Sequence, residues 1–155
     1  MRFISPSKGS ISLEEMVTDL INFTIQSPKD SYRIIIGTDS QQGEKTCFVT
    51  AVIIHRAGKG AKFYYRRTYQ KPYHSLQQRI FAEANESLDI AARLMEKLSA
   101  INPELTIEIH LDVGTKGKTK ELIQQVVGMV NMSGFLARVK PYSCGASKVA
   151  DRYTK

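Results

Sequence analysis

The 155-residue sequence predicts an α/β fold: a five-stranded mixed sheet, antiparallel in its first three strands and parallel thereafter, flanked by helices on both faces. Three observations carry this. The length suits one hydrophobic core, and 42% hydrophobic with 24% charged residues excludes a disordered, collagen-like or coiled-coil chain. The apolar period switches between helical spacing and continuous β-branched runs. In the second half, strand-like and helix-like segments alternate, as parallel strands with crossover helices require.

After a polar opening, Ser12 with Glu15 forms a capping-box signature, and Leu13, Met16, Val17, Leu20, Ile21 and Ile25 recur at helical spacing. A helix is expected from about Leu13 to Gln26, ended by Ser27-Pro28. Ile34-Ile35-Ile36 reads as a central strand buried on both faces and leads into Gly37-Thr38-Asp39-Ser40. Strands of about Thr46 to His55 and Lys62 to Tyr69 follow turns at Gln42-Gly43 and Gly58-Lys59-Gly60, which completes an antiparallel meander. Ser75 opens a long helix to about Ala100, stopped by Asn102-Pro103. A strand from Thr106 to Asp112, a helix from about Thr119 to Asn131, a short strand from Leu136 to Lys140 and a terminal helix starting near Ala146 complete the order.

Lys and Arg outnumber Asp and Glu by 22 to 15, and the net charge of +7 attracts polyanions, nucleic acid first among them. No apolar run reaches the ~20 residues of a spanning helix, and the start lacks a signal-peptide core, so a cytoplasmic location is expected. Cys47 and Cys144 stand alone, without zinc-ligand spacing.

The acidic residues are placed unevenly. Asp39 and Asp112 each end an apolar strand, where the backbone holds a carboxylate rigidly at the sheet margin. Of the acids on the long helix, Glu83 lies roughly 70° from the centre of the apolar face and Glu86 about 130° away, so only Glu83 can look toward the sheet. Asp151 is the one acid of the terminal segment. Four acids from two strand ends and two helices supply enough oxygen for two hard cations, Mg²⁺ or Mn²⁺. Such a pair supports hydrolysis of a phosphodiester without a side-chain nucleophile. Lys59, Lys62, Arg66, Arg67, Lys116, Lys118, Lys120 and Lys148 would hold the nucleic-acid backbone.

In that order of elements, Ile36-Gly37-Thr38-Asp39-Ser40-Gln41, Ser75-Leu76-Gln77 leading to Glu83, Leu111-Asp112-Val113-Gly114 with Gly117-Lys118, and Ala150-Asp151 resemble the YkuK family of ribonuclease H-like proteins. The resemblance covers essentially the whole chain. It implies one ribonuclease H-like domain over 1–155, with an extra N-terminal helix over about 13–26. It implies a metal-dependent nuclease acting on RNA, an RNA–DNA hybrid or branched DNA, with Asp39, Glu83, Asp112 and Asp151 as metal-binding catalytic residues. Ser40 and Gln41 then join Arg66, Arg67, Lys116, Lys118 and Lys148 as expected nucleic-acid contacts. The competing readings are a non-catalytic nucleic-acid-binding module and a basic protein-interaction domain.

Two other patterns carry less. Gly114-Thr115-Lys116-Gly117-Lys118-Thr119 sits between a strand and a helix, but Asp112 stands where a phosphate loop needs its first glycine. Tyr64, Tyr65, Tyr69 and Tyr73 interleave with Arg66, Arg67 and Lys71, a pattern that suits base stacking but suits strand packing better.

Overall fold

Ile34, Ile35 and Ile36 lie in the middle of a ten-residue strand inside a seven-stranded sheet. The structure is a computed structural model that describes residues 1–113 and 120–139. In chain order its elements are β1 (Arg2–Ser5), β2 (Gly9–Ser12), α1 (Leu13–Ile25), β3 (Tyr32–Gln41), β4 (Thr46–Arg56), β5 (Ala61–Gln70), α2 (Leu76–Leu98), β6 (Thr106–His110), α3 (Lys120–Met132) and β7 (Leu136–Arg138). The spatial order is β2-β1-β5-β4-β3-β6-β7. The β3-β4-β5 meander is antiparallel, β6 runs parallel to β3, and β7 parallel to β6.

The sheet therefore exceeds the predicted five strands by the hairpin β1–β2, where the sequence suggests only a polar opening. These strands have four residues each and bury little beyond Phe3, Ser5 and Ile11, too few for a period to register. What forms them is pairing with each other and the contact of Ile4 with Tyr65 on β5. Gly9 supplies the positive φ that the turn between them needs.

The helices form where caps and period place them. In α1 the Glu15 amide donates to Ser12 Oγ at 3.0 Å and the Ser12 amide to Glu15 Oε1 at 3.1 Å, the reciprocal capping box. Ser75 caps α2 by accepting from the Gln78 amide at 3.1 Å. Residues of α1, α2 and α3 pack with Ile34, Ile36, Val52, Ile54, Ile107 and Ile109, which alternate along their strands and line one face of the sheet. The other face carries a separate cluster of Ile35, Val49, Ala51 and Ile53, to which none of these helices contributes. Among the described residues, then, helices cover one face rather than both; the terminal helix predicted from about Ala146 falls outside them. No helix among the described residues is long and apolar enough to cross a membrane.

The hairpin is tied to the body through Asp19 on α1, which is 5% exposed. Its carboxylate accepts from the Tyr64 hydroxyl of β5 and, at 2.9 Å, from Lys8 Nζ beside the hairpin turn. Burial opposes the charge, but Tyr64, Lys8 and Lys62 outweigh it and hold the Asp19 carboxyl below its ordinary value. Tyr64→Phe is expected to lower stability in urea denaturation at pH 7 by about 1–3 kcal/mol, the cost of removing one donor from a buried acceptor. A carboxyl with a lower pKa folded than unfolded contributes stability above the ordinary carboxylate range and loses it as pH falls through the lowered value. The stability gap between the wild type and Asp19→Asn should therefore shrink as pH is taken from 7 toward 2; a constant gap would show that the charge of Asp19 is immaterial.

Candidate active site at the sheet end

The β3–β6 register brings two of the predicted acids to one end of the sheet. Arg33 pairs with Thr106 and Gly37 with His110, and Asp39 and Asp112 each lie two residues beyond that last pair. β6 stops at His110, short of the predicted Asp112, which leaves that residue on the segment just past the strand. Both aspartates are half-buried at the same end of the sheet.

The helix α2 crosses this end and is bound to β3 by polar side chains. Thr38 shares hydrogen bonds with Thr50 at 2.9 Å and with Ser87 at 2.7 Å. Ser40 Oγ donates to Glu83 Oε1 at 2.5 Å. Arg79 donates from Nε to the Ser40 hydroxyl at 3.3 Å and from an Nη to the Ser40 carbonyl at 3.1 Å. Arg79, Glu83 and Ser87, spaced by four, thus form a polar stripe facing β3. Glu86 instead accepts from Gln70 at 2.7 Å, and Asp89 pairs with Arg93 on the exposed side. Thr38 and Ser40 point toward α2, so alternation puts Asp39 on the opposite side of the strand. Glu83 and Asp39 approach the strand end from two sides.

Electrostatically the group is under tension. Burial pushes the Glu83 carboxyl up to about 7, and the Asp39 and Asp112 carboxylates add to the shift, while the Ser40 hydrogen bond and the Arg79 guanidinium work against it. Thr38, Glu83, Ser87, His110 and Asp112 help to line a crevice of about 10 Å³, the room of about one water molecule. The donor set is all carboxylate oxygen, which suits a hard cation in chemistry. Among the described residues, however, no three His, Cys, Asp or Glu side chains gather closely enough to form a metal-binding group.

The expected nucleic-acid contacts divide. Ser40 is buried, with its hydroxyl engaged by Glu83 and Arg79. Gln41 is exposed at the end of β3. Arg66 lies on the α2 side, 3.8 Å from Glu86, whereas Arg67 is exposed on the Asp39 side. Lys62 and Lys59 lie at the far end of the β4–β5 hairpin, near Asp19 and Asp30, and not at the acidic end. Asp151, Lys116, Lys118 and Lys148 fall outside the described residues. His110 is buried beside the site with Nε2 3.7 Å from Glu108 Oε1, and burial lowers its pKa against the pull of that carboxylate. Its neighbour Glu108 is held by Arg33 at 3.1 Å and Arg138 at 3.2 Å. Arg79 was not among the expected site residues; its spacing of four before Glu83 is the signal that points to it.

The sequence matches known proteins along most of its length. A Ribonuclease H-like family profile matches residues 15–155. The uncharacterized protein YkuK of Bacillus subtilis (strain 168) is 35% identical over 166 residues, covering 99% of this chain and 96% of that protein. The family match begins inside α1, so the β1–β2 hairpin lies outside it. With a match over nearly its whole length, and a mixed sheet whose central parallel strands lead to Asp39 and Asp112, the chain belongs to the ribonuclease H-like family.

Proposed function

We propose that the protein is a metal-dependent nuclease that hydrolyses phosphodiester bonds in RNA, an RNA–DNA hybrid or branched DNA. The observation that supports this best is the approach of Asp39, Glu83 and Asp112 to one end of the sheet, with Glu83 held there by Ser40; burial and the two aspartates push its carboxyl up to about 7. A fold does not collect like charges at a half-buried point without a cost, and such costs cluster where chemistry is done. Asp39, Glu83 and Asp112, with Asp151, would hold Mg²⁺ or Mn²⁺. A cation held there would supply the Lewis acidity that phosphodiester hydrolysis needs. Arg79 and Ser40 fix the position of Glu83, and the burial that raises its carboxyl to about 7 without metal is the strain that a bound cation would relieve. The positive charge of the chain draws the polyanion in.

A second reading, a nucleic-acid-binding module without catalysis, is favoured by the spacing of the carboxylates: they are near enough to act on Glu83, but among the described residues no three of them form a metal-binding group. Calcium separates the two readings, because it can support binding while failing the geometry that Mg²⁺ chemistry needs.

Incubation with labelled single-stranded, duplex, hybrid and branched substrates in Mg²⁺ and Mn²⁺ is expected to give cleavage that Asp39→Asn reduces by more than the roughly 10–100-fold that even an outer-shell change costs a metal site. Unchanged cleavage in the mutant would place the activity elsewhere. Millimolar Mn²⁺ should raise the wild-type Tm by several degrees, since binding at ~100 Kd contributes about 2.7 kcal/mol. Asp39→Asn should lose that rise, with an apo form no less stable than the apo wild type because a repelling charge is gone. In EDTA, Glu83 binds its proton more tightly folded than unfolded, so it subtracts stability as pH rises from the ordinary carboxylate range through about 7. Glu83→Gln should therefore gain on the wild type in urea denaturation between pH 5 and 8; parallel curves would mean that Glu83 is not strained by its neighbours.

A further inference from the structure

We propose that the sheet surface beside Asp39 is a platform for a single strand of nucleic acid, on which Tyr69 stacks a base while Arg67 and Gln41 hold the strand toward the acidic site. This deepens the nuclease reading and rests on it for what happens at Asp39; binding itself requires no catalysis.

The structure separates the four tyrosines that the sequence leaves equivalent. Tyr64 is buried and bonded to Asp19. Tyr73 packs edge-on against Phe48, with ring centroids 5.8 Å apart, and donates to Gln70 at 3.0 Å. Tyr65 packs against the cluster around Ile35. Tyr69 alone of the four is open, at 62% exposure.

Its position gives it a direction. Asp39 pairs with Val49 and Val49 with Arg67, so Arg67 stands across the sheet from Asp39, about 10 Å away by two strand spacings. The next row on the same face is Gln41, Cys47 and Tyr69. Arg67 is exposed, with its guanidinium 6.0 Å from the Tyr65 ring centroid. Aromatic ring, guanidinium and side-chain amide thus share one surface with an acidic site, on a chain of net charge +7. Each group suits a different part of a nucleotide: the ring a base face, the cation a phosphate, the amide a base edge. A duplex hides its base faces in the stack, so an exposed ring on a flat strand end selects unpaired bases. A protein partner would find little here, since the neighbours of Tyr69 in its row are a polar Gln41 and a half-buried Cys47.

The test is fluorescence anisotropy with labelled 12-mer single-stranded DNA and RNA and the matching blunt duplexes, in EDTA so that nothing is cut. Tyr69→Ala should weaken single-strand binding about 5- to 150-fold, as the loss of one base stack predicts, and change duplex binding less than about twofold. Tyr69→Phe should bind as the wild type does. Arg67→Ala should weaken all binding and flatten the salt dependence by about one counterion. Thermal melts of each variant check that the fold is kept. Single-strand binding by folded Tyr69→Ala at wild-type strength, or an equal loss on duplexes, overturns the platform while leaving cleavage in Mn²⁺ to stand or fall separately. A wild type that binds no oligonucleotide overturns the platform and the nucleic-acid reading together.

Discussion

The parallel pairing of β3 with β6 fixes the rest of the structure. β3 is flanked by strands on both sides and buried on both faces, so each of its residues is committed to one side of the sheet. A slip of one residue would turn Ile34 and Ile36 away from the helices and exchange the roles of Ser40 and Asp39. The apolar run is therefore more than core. It sets the register that carries two aspartates to one end of the sheet.

The same register obliges α2 to approach through polar groups. Opposite Thr38 and Ser40 the helix presents Ser87, Glu83 and Arg79, and these satisfy one another across the interface. A buried polar seam adds little net stability, because its hydrogen bonds replace bonds to water, but any misalignment leaves groups unsatisfied at considerable cost. It thus fixes the height of α2 along β3. Apolar packing by Ile80, Ala84, Ile90 and Ala91 holds the helix down; the seam decides where along the strand Glu83 arrives.

How far the site was legible in the sequence depends on how much of each signal is local. β3, β4, β5 and α2 announce themselves through long apolar runs, turn residues and the Ser75 cap, and their observed bounds differ from expectation by a residue or two. The hairpin β1–β2 does not, because four-residue strands are defined by their pairing partners and not by their own composition. The side of β3 that bears Asp39 is hidden for a related reason: a strand buried on both faces shows no alternation, so Ile34-Ile35-Ile36 cannot tell its two faces apart. Only the partners of Ser40 resolve it. Arg79 escaped because an arginine near the start of a helix usually belongs to the solvent face.

Asp19 and Glu83 are the same kind of group in two different electrostatic settings. Both are helix carboxyls turned toward the sheet, both accept a hydroxyl hydrogen bond, and burial opposes the charge of both. Around Asp19 stand Lys8 and Lys62, and its carboxyl is held below the ordinary value. Around Glu83 stand one guanidinium and two carboxylates, and its carboxyl rises to about 7. Burial is the largest influence on Glu83, and the two aspartates add to it; at Asp19 the hydrogen bonds from Tyr64 and Lys8 and the charges of the two lysines outweigh burial. A residue that only fastened α2 to β3 would be served better by a neutral amide, or by two cations as Asp19 is. That Glu83 is instead left short of positive charge, at the end of the sheet that also carries Asp39 and Asp112, is the condition a site needs if the balancing charge is to arrive from solution.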